Sequence, residues 1–325
     1  MSAKPTICYI SAASHSGSTL LAMLLNSQPG ITTVGELKLS NLGDLRQYRC
    51  SCRTPLDECE FWQGIVREVR AADPGFSLDS AGMHLQDAPN RFQRRLLRPL
   101  LRGAAGEAAR DVLLNLSPGW RNHLGQWKRR NVHLARAVST VSGDDVIVDS
   151  SKHGIRLKYL LDIDDIDVKV VRQVRDGRAV ALTYMDAFRF ADAKDPTLRG
   201  GGMGRQHHRD LSMTEAAREW LRSNEEAAAI QARMPADKVL QVKYEELCTD
   251  TAATLRRITE FLGVAFSDAY RQFKDVEHHV VGNGMRLDSS SEVVLDDRWK
   301  SELSDADLRE FDRVAGDLNR ALGYE

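Results

Sequence analysis

Apolar residues along the chain come in short runs, each ending on small or charged residues. Residues 6–10 (TICYI) are an unbroken, β-branched apolar stretch, as expected of a strand buried on both faces. Small residues from Ser11 to Thr19 follow. The leucine-rich run at 20–25 then predicts a helix that stops at 26–30 (NSQPG). The alternation recurs, with a second short strand expected over 30–34, a third over 145–149, a fourth from Asp167 to Arg175 and a late one over 238–242. Residues 60–145 read as mostly helical, 251–262 as a helix, and 303–322 as a closing amphipathic helix. Strand–loop–helix units in this order predict an α/β fold on a central parallel sheet.

Composition narrows the function classes. The chain has 325 residues, 42% apolar and 28% charged, ordinary values for a soluble globular protein. A formal net charge of −1 gives no general case for nucleic-acid or membrane partners. No run is long and apolar enough to span a bilayer, and residues 1–5 lead into the first strand without a secretory apolar region. Five cysteines, an odd number, suit a reducing cytoplasm. Locally, residues 91–136 hold eleven Lys or Arg against Glu107 and Asp111, which reads either as a basic wall steering an anion or as a solvated helix face.

The chemistry gathers at strand ends. In open parallel sheets ligands sit outside the carboxyl ends of strands. The first such loop has the layout of a phosphate cradle: backbone N–H groups and a helix N-terminus converge, and Ser16, Ser18 and Thr19 add hydroxyls. Against the pattern G-x-x-x-x-G-K-[ST], Ala12 replaces the first glycine and Ser18 the lysine. Nothing in the loop then reaches the β- and γ-phosphates of a nucleoside triphosphate, so the cradle suits something other than Mg-ATP. The plainer alternative is a close-packed strand–turn–helix.

The same rim receives Glu36, as a general base or a surface ion pair, and Lys152, which suits charge neutralisation on a transferring group. His153 is an acid–base candidate or a capping residue. Arg175 and Thr183 meet one anion if their strand and helix lie side by side. Cys50, Cys52 and Cys59 are spaced C-x-C-x6-C, which fits no usual zinc spacing and shows no fourth ligand. Loop packing or a Cys52–Cys59 redox pair are the alternatives, and no metal is expected. His207-His208 and His278-His279 make no metal site by spacing. The glycine-rich residues 195–204 read as a lid or a linker.

Taken together, these stretches resemble the sulfotransferases that use 3′-phosphoadenosine 5′-phosphosulfate (PAPS). Their first signature, a cation-Ser-Gly-[Ser/Thr]-Thr loop, stands here as His15-Ser16-Gly17-Ser18-Thr19. Their second, Arg-Asp-x-Arg with a hydroxyl residue five further on, stands as Arg175-Asp176-Gly177-Arg178 and Thr183. The late strand and Tyr244-Glu245-Glu246-Leu247 are similar to the family's Tyr-Glu-[Asp/Glu]-Leu turn, and Asp149-Ser-Ser-Lys152 to its bacterial branch. The resemblance covers residues 5–40 and 145–265.

It implies a three-layer P-loop-like fold in one domain over residues 1–325. A helical insertion would occupy about 45–140 and a cofactor-closing segment about 275–325. It further implies PAPS as co-substrate, held at the 5′ side by residues 15–19, at the 3′-phosphate by Arg175 and Thr183, near the adenine by Tyr244, and in the closing segment by Arg286. Lys152 and His15 would stabilise the departing oxygen, with Glu36 favoured over His153 as base and no metal required. His15 departs from the usual Lys or Arg. Its ordinary pKa of about 6.5 makes its charge depend on its surroundings, and a bound phosphate favours the protonated form. The expected acceptor is a small molecule or glycan, a carbohydrate or other alcohol. The alternatives are a P-loop kinase or nucleotide hydrolase, and a non-catalytic protein that binds the desulfated product PAP.

Overall fold

The computed structural model describes residues 4–40, 42–98, 103–190 and 210–325. Among them five strands form one sheet: β1 (Thr6–Ser11), β2 (Ile31–Gly35), β3 (Val146–Asp149), β4 (Asp167–Val174) and β5 (Val239–Lys243). Their order is β2-β3-β1-β4-β5, and every neighbouring pair is parallel. Each strand lies within about two residues of where the apolar runs predict it.

Helix α1 (Ser18–Asn26) follows β1. Helices α2 (Glu60–Ala72), α3 (Arg91–Leu96), α4 (Gly103–Asn115) and α5 (Pro118–Ser142) stand between β2 and β3, and α6 (Gly154–Leu160) joins β3 to β4. Next come α7 (Gly177–Met185), α8 (Ala187–Phe190) and α9 (Met213–Gln231). After β5 the chain runs through α10 (Tyr244–Thr249), α11 (Thr251–Leu262), α12 (Trp299–Glu302) and α13 (Asp305–Ala321).

Three layers follow from the period of two along a strand. Ile7 and Tyr9 of β1 face a core shared with Trp62, Trp127 and Leu157 of α2, α5 and α6. Cys8 and Ile10 face the opposite core, with Leu21 of α1 and Leu255 of α11. A third cluster around Trp220 and Phe311 packs α7, α9 and α13 together. The longest helix, α5, is bounded by local chemistry. Ser117 accepts from the Trp120 N–H, Pro118 opens the first turn, and Gly143 closes the helix at φ 79°.

Two expectations change. The basic run between 91 and 136 is not a bare wall, because Arg110 pairs with Glu107 and Asp111, Lys128 with Asp162, Arg130 with Asp73 and Arg136 with Asp165. The residues between α2 and α3 form irregular chain with two 3-10 turns, Leu78–Ser80 and Leu85–Asp87. The glycine-rich stretch at 195–204 and His207-His208 lie outside the described residues.

The exits of β2 and β3 are tied together by one carboxylate. Asp149, fully buried, receives the Arg156 Nε at 2.8 Å on one oxygen. On the other it accepts the Ser151 N–H (2.9 Å), the Ser151 hydroxyl and the Leu37 N–H (3.2 Å). Arg156 donates onward to Asn131 Oδ1 at 2.7 Å and stacks over the Trp127 ring. Removing one partner of such a buried pair strands the other charge. Asp149→Ala should therefore cost about 3–5 kcal/mol in urea unfolding; a loss below about 1 kcal/mol, the range of exposed pairs, would contradict this role.

Candidate active site

The loop after β1 ends in two left-handed residues, His15 at φ 63° and Gly17 at φ 83°, before Ser18 and Thr19 open α1. This turn aims backbone N–H groups into the space above the strand end. Only glycine fits at position 17. A Cβ there would stand 2.5 Å from Cδ2 of Tyr244, besides carrying the unfavourable φ. The Ser16 hydroxyl is buried and has no hydrogen-bond partner, as do both amide atoms of Gln173. The Gln173 Nε2 lies 3.4 Å from where the Gly17 Cβ would be. Buried polar atoms normally find partners, so orphans clustered at one loop, judged among the described residues, are a departure that calls for a reason. The His15 ring sits edge-on to Tyr184, with centroids 4.9 Å apart.

Beyond β2 and β3 lies a charged cluster. Lys152 Nζ is 2.8 Å from one oxygen of Glu36, and Lys38 Nζ is 2.9 Å from the other. Lys152 occupies a left-handed position, φ 68°, in the turn that Asp149 holds, and this aims its side chain at Glu36. Burial alone would raise the pKa of Glu36, but the two ammonium groups outweigh it and draw it down to about 2. His153 faces elsewhere. Its Nε2 is 3.4 Å from Lys38 Nζ, and its carbonyl accepts from the Tyr9 hydroxyl at 2.8 Å. Burial, with Lys38 adding to it, pushes its pKa down to about 3, so its imidazole is neutral.

Arg175, at the end of β4, donates to the His15 carbonyl at 2.8 Å and to the Asp296 carboxylate at 3.0 Å. Its guanidinium stacks on the Tyr244 ring at 4.4 Å, while its buried Nε has no partner. The first signature loop, Arg175 and Tyr244 are thus brought together. Thr183 is not among the partners of Arg175 in the described residues; its buried hydroxyl donates to the Ala179 carbonyl. Arg286 is buried and spends its donors on the carbonyls of Arg49, Gly282 and Asn283 while stacking on Tyr48. It fastens the C-terminal turn to the chain before α2.

Three residues of the site escape a reading of the sequence. Gln173 is two positions before Arg175, hence on the same face, and its fully buried amide could not be told in sequence from the other polar residues of the strand, Asp167, Lys169 and Arg172. Lys38 stands two residues after Glu36 in a segment with no regular period. Asp296 comes from 121 residues away and gives no local sign. Gly17→Ala should destabilise the fold by roughly 1–3 kcal/mol. Part of that loss should be recovered in combination with Tyr244→Ala, read as non-additivity in a double-mutant cycle. Additive losses would mean that loop and ring do not touch.

The comparisons with known proteins agree with this layout. The sequence pattern of the sulfotransferase family matches residues 9–268. No curated protein matches the chain in sequence. Among solved structures, the sulfotransferase domain from the curacin biosynthetic pathway has a similar fold, with 17% identity, a TM-score of 0.51, and coverage of 100% of this chain and 99% of that one. The sulfotransferase domain of the Synechococcus PCC 7002 olefin synthase has 20% identity and a TM-score of 0.48, over 100% and 97% of the two chains. For sulfotransferase STF9 from Mycobacterium avium the values are 14% and 0.47, over 99% and 78%. A family match that runs from β1 through α11, on a P-loop-like α/β fold, makes this chain a member of the sulfotransferase family.

Proposed function

We propose that the protein transfers the sulfuryl group of PAPS to the hydroxyl of a small-molecule or glycan acceptor, a carbohydrate or other alcohol. The observation that carries this reading is the group of buried polar atoms at the first loop, on Ser16, Gln173 and Arg175, that have no partner among the described residues. Residues 15–19 would hold the 5′ side, Arg175 the 3′-phosphate and Tyr244 the adenine side. The Thr183 hydroxyl would join Arg175 at the 3′-phosphate by redirecting its hydrogen from the Ala179 carbonyl. We read Arg286 as a residue that positions the closing segment. PAPS supplies an activated sulfuryl group on a phosphate leaving group, so the reaction calls for no metal. The unit proposed is one domain over 1–325 with its insertion at about 45–140, and the cysteine count supports a cytoplasmic setting.

The chain's own groups divide the work. Lys152 Nζ and His15 stabilise negative charge on the departing oxygen. Glu36 takes the acceptor proton. With two ammonium groups beside it, Glu36 is a weak base. Drawing Lys152 toward donor charge removes one of them and raises its basicity, so base strength is coupled to donor occupancy. His153 is the weaker candidate, because its Nε2 faces Lys38. Met83, His84 and Leu85 of the insertion lie beside Lys38 and His153, so in this reading the insertion would form part of the acceptor side.

Calorimetric titration with PAP beside Mg-ATP, and transfer from labelled PAPS to a panel of alcohols, test the reading. PAP binding with no turnover on any acceptor would replace it with a non-catalytic role. Glu36→Gln should cut turnover by 10²–10⁴-fold, on the order of general-base catalysis, while PAP affinity stays near wild type; equal losses in both would make Glu36 structural. Arg175→Ala should weaken PAP severely. Asp296→Ala should tighten it roughly tenfold, the value of one charge-assisted hydrogen bond. Unchanged affinity in both variants would remove the 3′-phosphate from Arg175.

A further inference from the structure

Cys50, Cys52 and Cys59 do find a fourth partner. His279, 220 residues after Cys59, brings its ring to the three sulfurs, and all four potential ligand atoms lie within 4.8 Å of one another. Sγ of Cys52 and Cys59 are 3.7 Å apart, and His279 Nδ1 is 3.4 Å from Cys59 Sγ and 3.8 Å from Cys50 Sγ. A tetrahedral zinc ion at about 2.3 Å from sulfur and about 2.0–2.1 Å from nitrogen has edges of about 3.8 Å between sulfurs and about 3.6 Å between sulfur and nitrogen. The three distances above come within about 0.3 Å of such edges, and the remaining pairs lie within 4.8 Å.

We propose that Cys50, Cys52, Cys59 and His279 bind one structural zinc ion, a site independent of the sulfuryl-transfer reading. The surroundings are built for it. The His279 Nε2 is 2.9 Å from Glu277 Oε1, which fixes the tautomer and turns Nδ1 toward the sulfurs. The ring stacks on Phe61 at 4.3 Å, nearly parallel, and the His279 carbonyl accepts from Trp62 Nε1 at 3.0 Å. Cys50 and Cys59 are buried, and Cys59 caps the N-terminus of α2, where the helix dipole favours a thiolate. Three sulfurs and an imidazole nitrogen complete a closed four-coordinate set, the donor type of structural zinc rather than of magnesium or calcium. Binding of Zn²⁺ releases three thiol protons and leaves the imidazole neutral.

The site staples the start of the insertion to the C-terminal segment. Just past His279, Val281 bonds to β2 through the Val34 carbonyl at 2.9 Å, and Gly282 lies against the Glu36 side chain. The metal thereby secures the wall behind Glu36.

The test uses full-length protein, freed of any histidine tag and expressed with zinc supplied. Elemental analysis should find about one zinc per chain after gel filtration, as a closed four-ligand site predicts. Cobalt substitution should give the visible bands of a tetrahedral thiolate complex. Cys52, the exposed ligand, should resist alkylation with zinc bound and react after chelation. Glu277→Gln, at an exposed residue that leaves all four ligands in place, should weaken zinc in chelator competition by roughly 10–100-fold. His279→Ala should lose the metal and lower the melting temperature. Absence of zinc together with no cobalt bands and metal-independent alkylation of Cys52 would overturn the proposal, as would a Cys52–Cys59 disulfide in the freshly purified protein.

Discussion

The carboxylate of Asp149 is the constraint on which the site depends. It is fully buried, so its charge is balanced by Arg156 and its remaining lone pairs by neighbouring N–H and hydroxyl donors. Those donors belong to two strand exits. Leu37 follows Glu36, and Ser151 precedes Lys152. One ion pair thus fixes the relative positions of the two residues that form the central salt bridge. It also holds Lys152 in a left-handed conformation that a non-glycine residue adopts at a cost on the order of 1 kcal/mol.

What was legible in the sequence was whatever is local. The strands show as apolar runs because a sheet covered on both faces leaves them no polar side. The cradle shows as a small-residue turn because strand, turn and helix are consecutive. Glu36, Lys152 and Arg175 could be placed on one rim because parallel strands all end there. Their partners could not be foreseen. The link from Arg175 to Asp296 spans 121 residues, and that from Cys59 to His279 spans 220. Cysteine spacing alone showed no fourth ligand because His279, which meets the three sulfurs, lies 220 residues after Cys59. The two readings of the basic run at 91–136, a wall or a solvated helix face, could not be separated for a related reason, since Asp73, Asp162 and Asp165 come from outside it.

The insertion and the C-terminal segment form one support. Tyr48 exchanges hydrogen bonds with the backbone of Gly282, Ser51 with that of Val280, and Arg286 reaches the Arg49 carbonyl. Two stretches more than 220 residues apart meet beside β2, which places the wall behind Glu36 under control of contacts that neither stretch makes alone.

Asp296 gives Arg175 a counter-ion from within the chain. Its carboxylate rests on Arg175 and Arg298, and although burial would raise its pKa, these two cations hold it at about 2, so it stays ionised. A tethered group acts at an effective concentration set by its tether and does not dilute away. Any anion bound by Arg175 must therefore exchange with a competitor that is always present. Weakly bound single charges from the buffer gain little by such an exchange, whereas a doubly charged phosphate gains a second charge's worth of attraction. If Arg175 takes a phosphate as proposed, the pair would work as a selective ion exchanger, with a threshold written into the C-terminal segment.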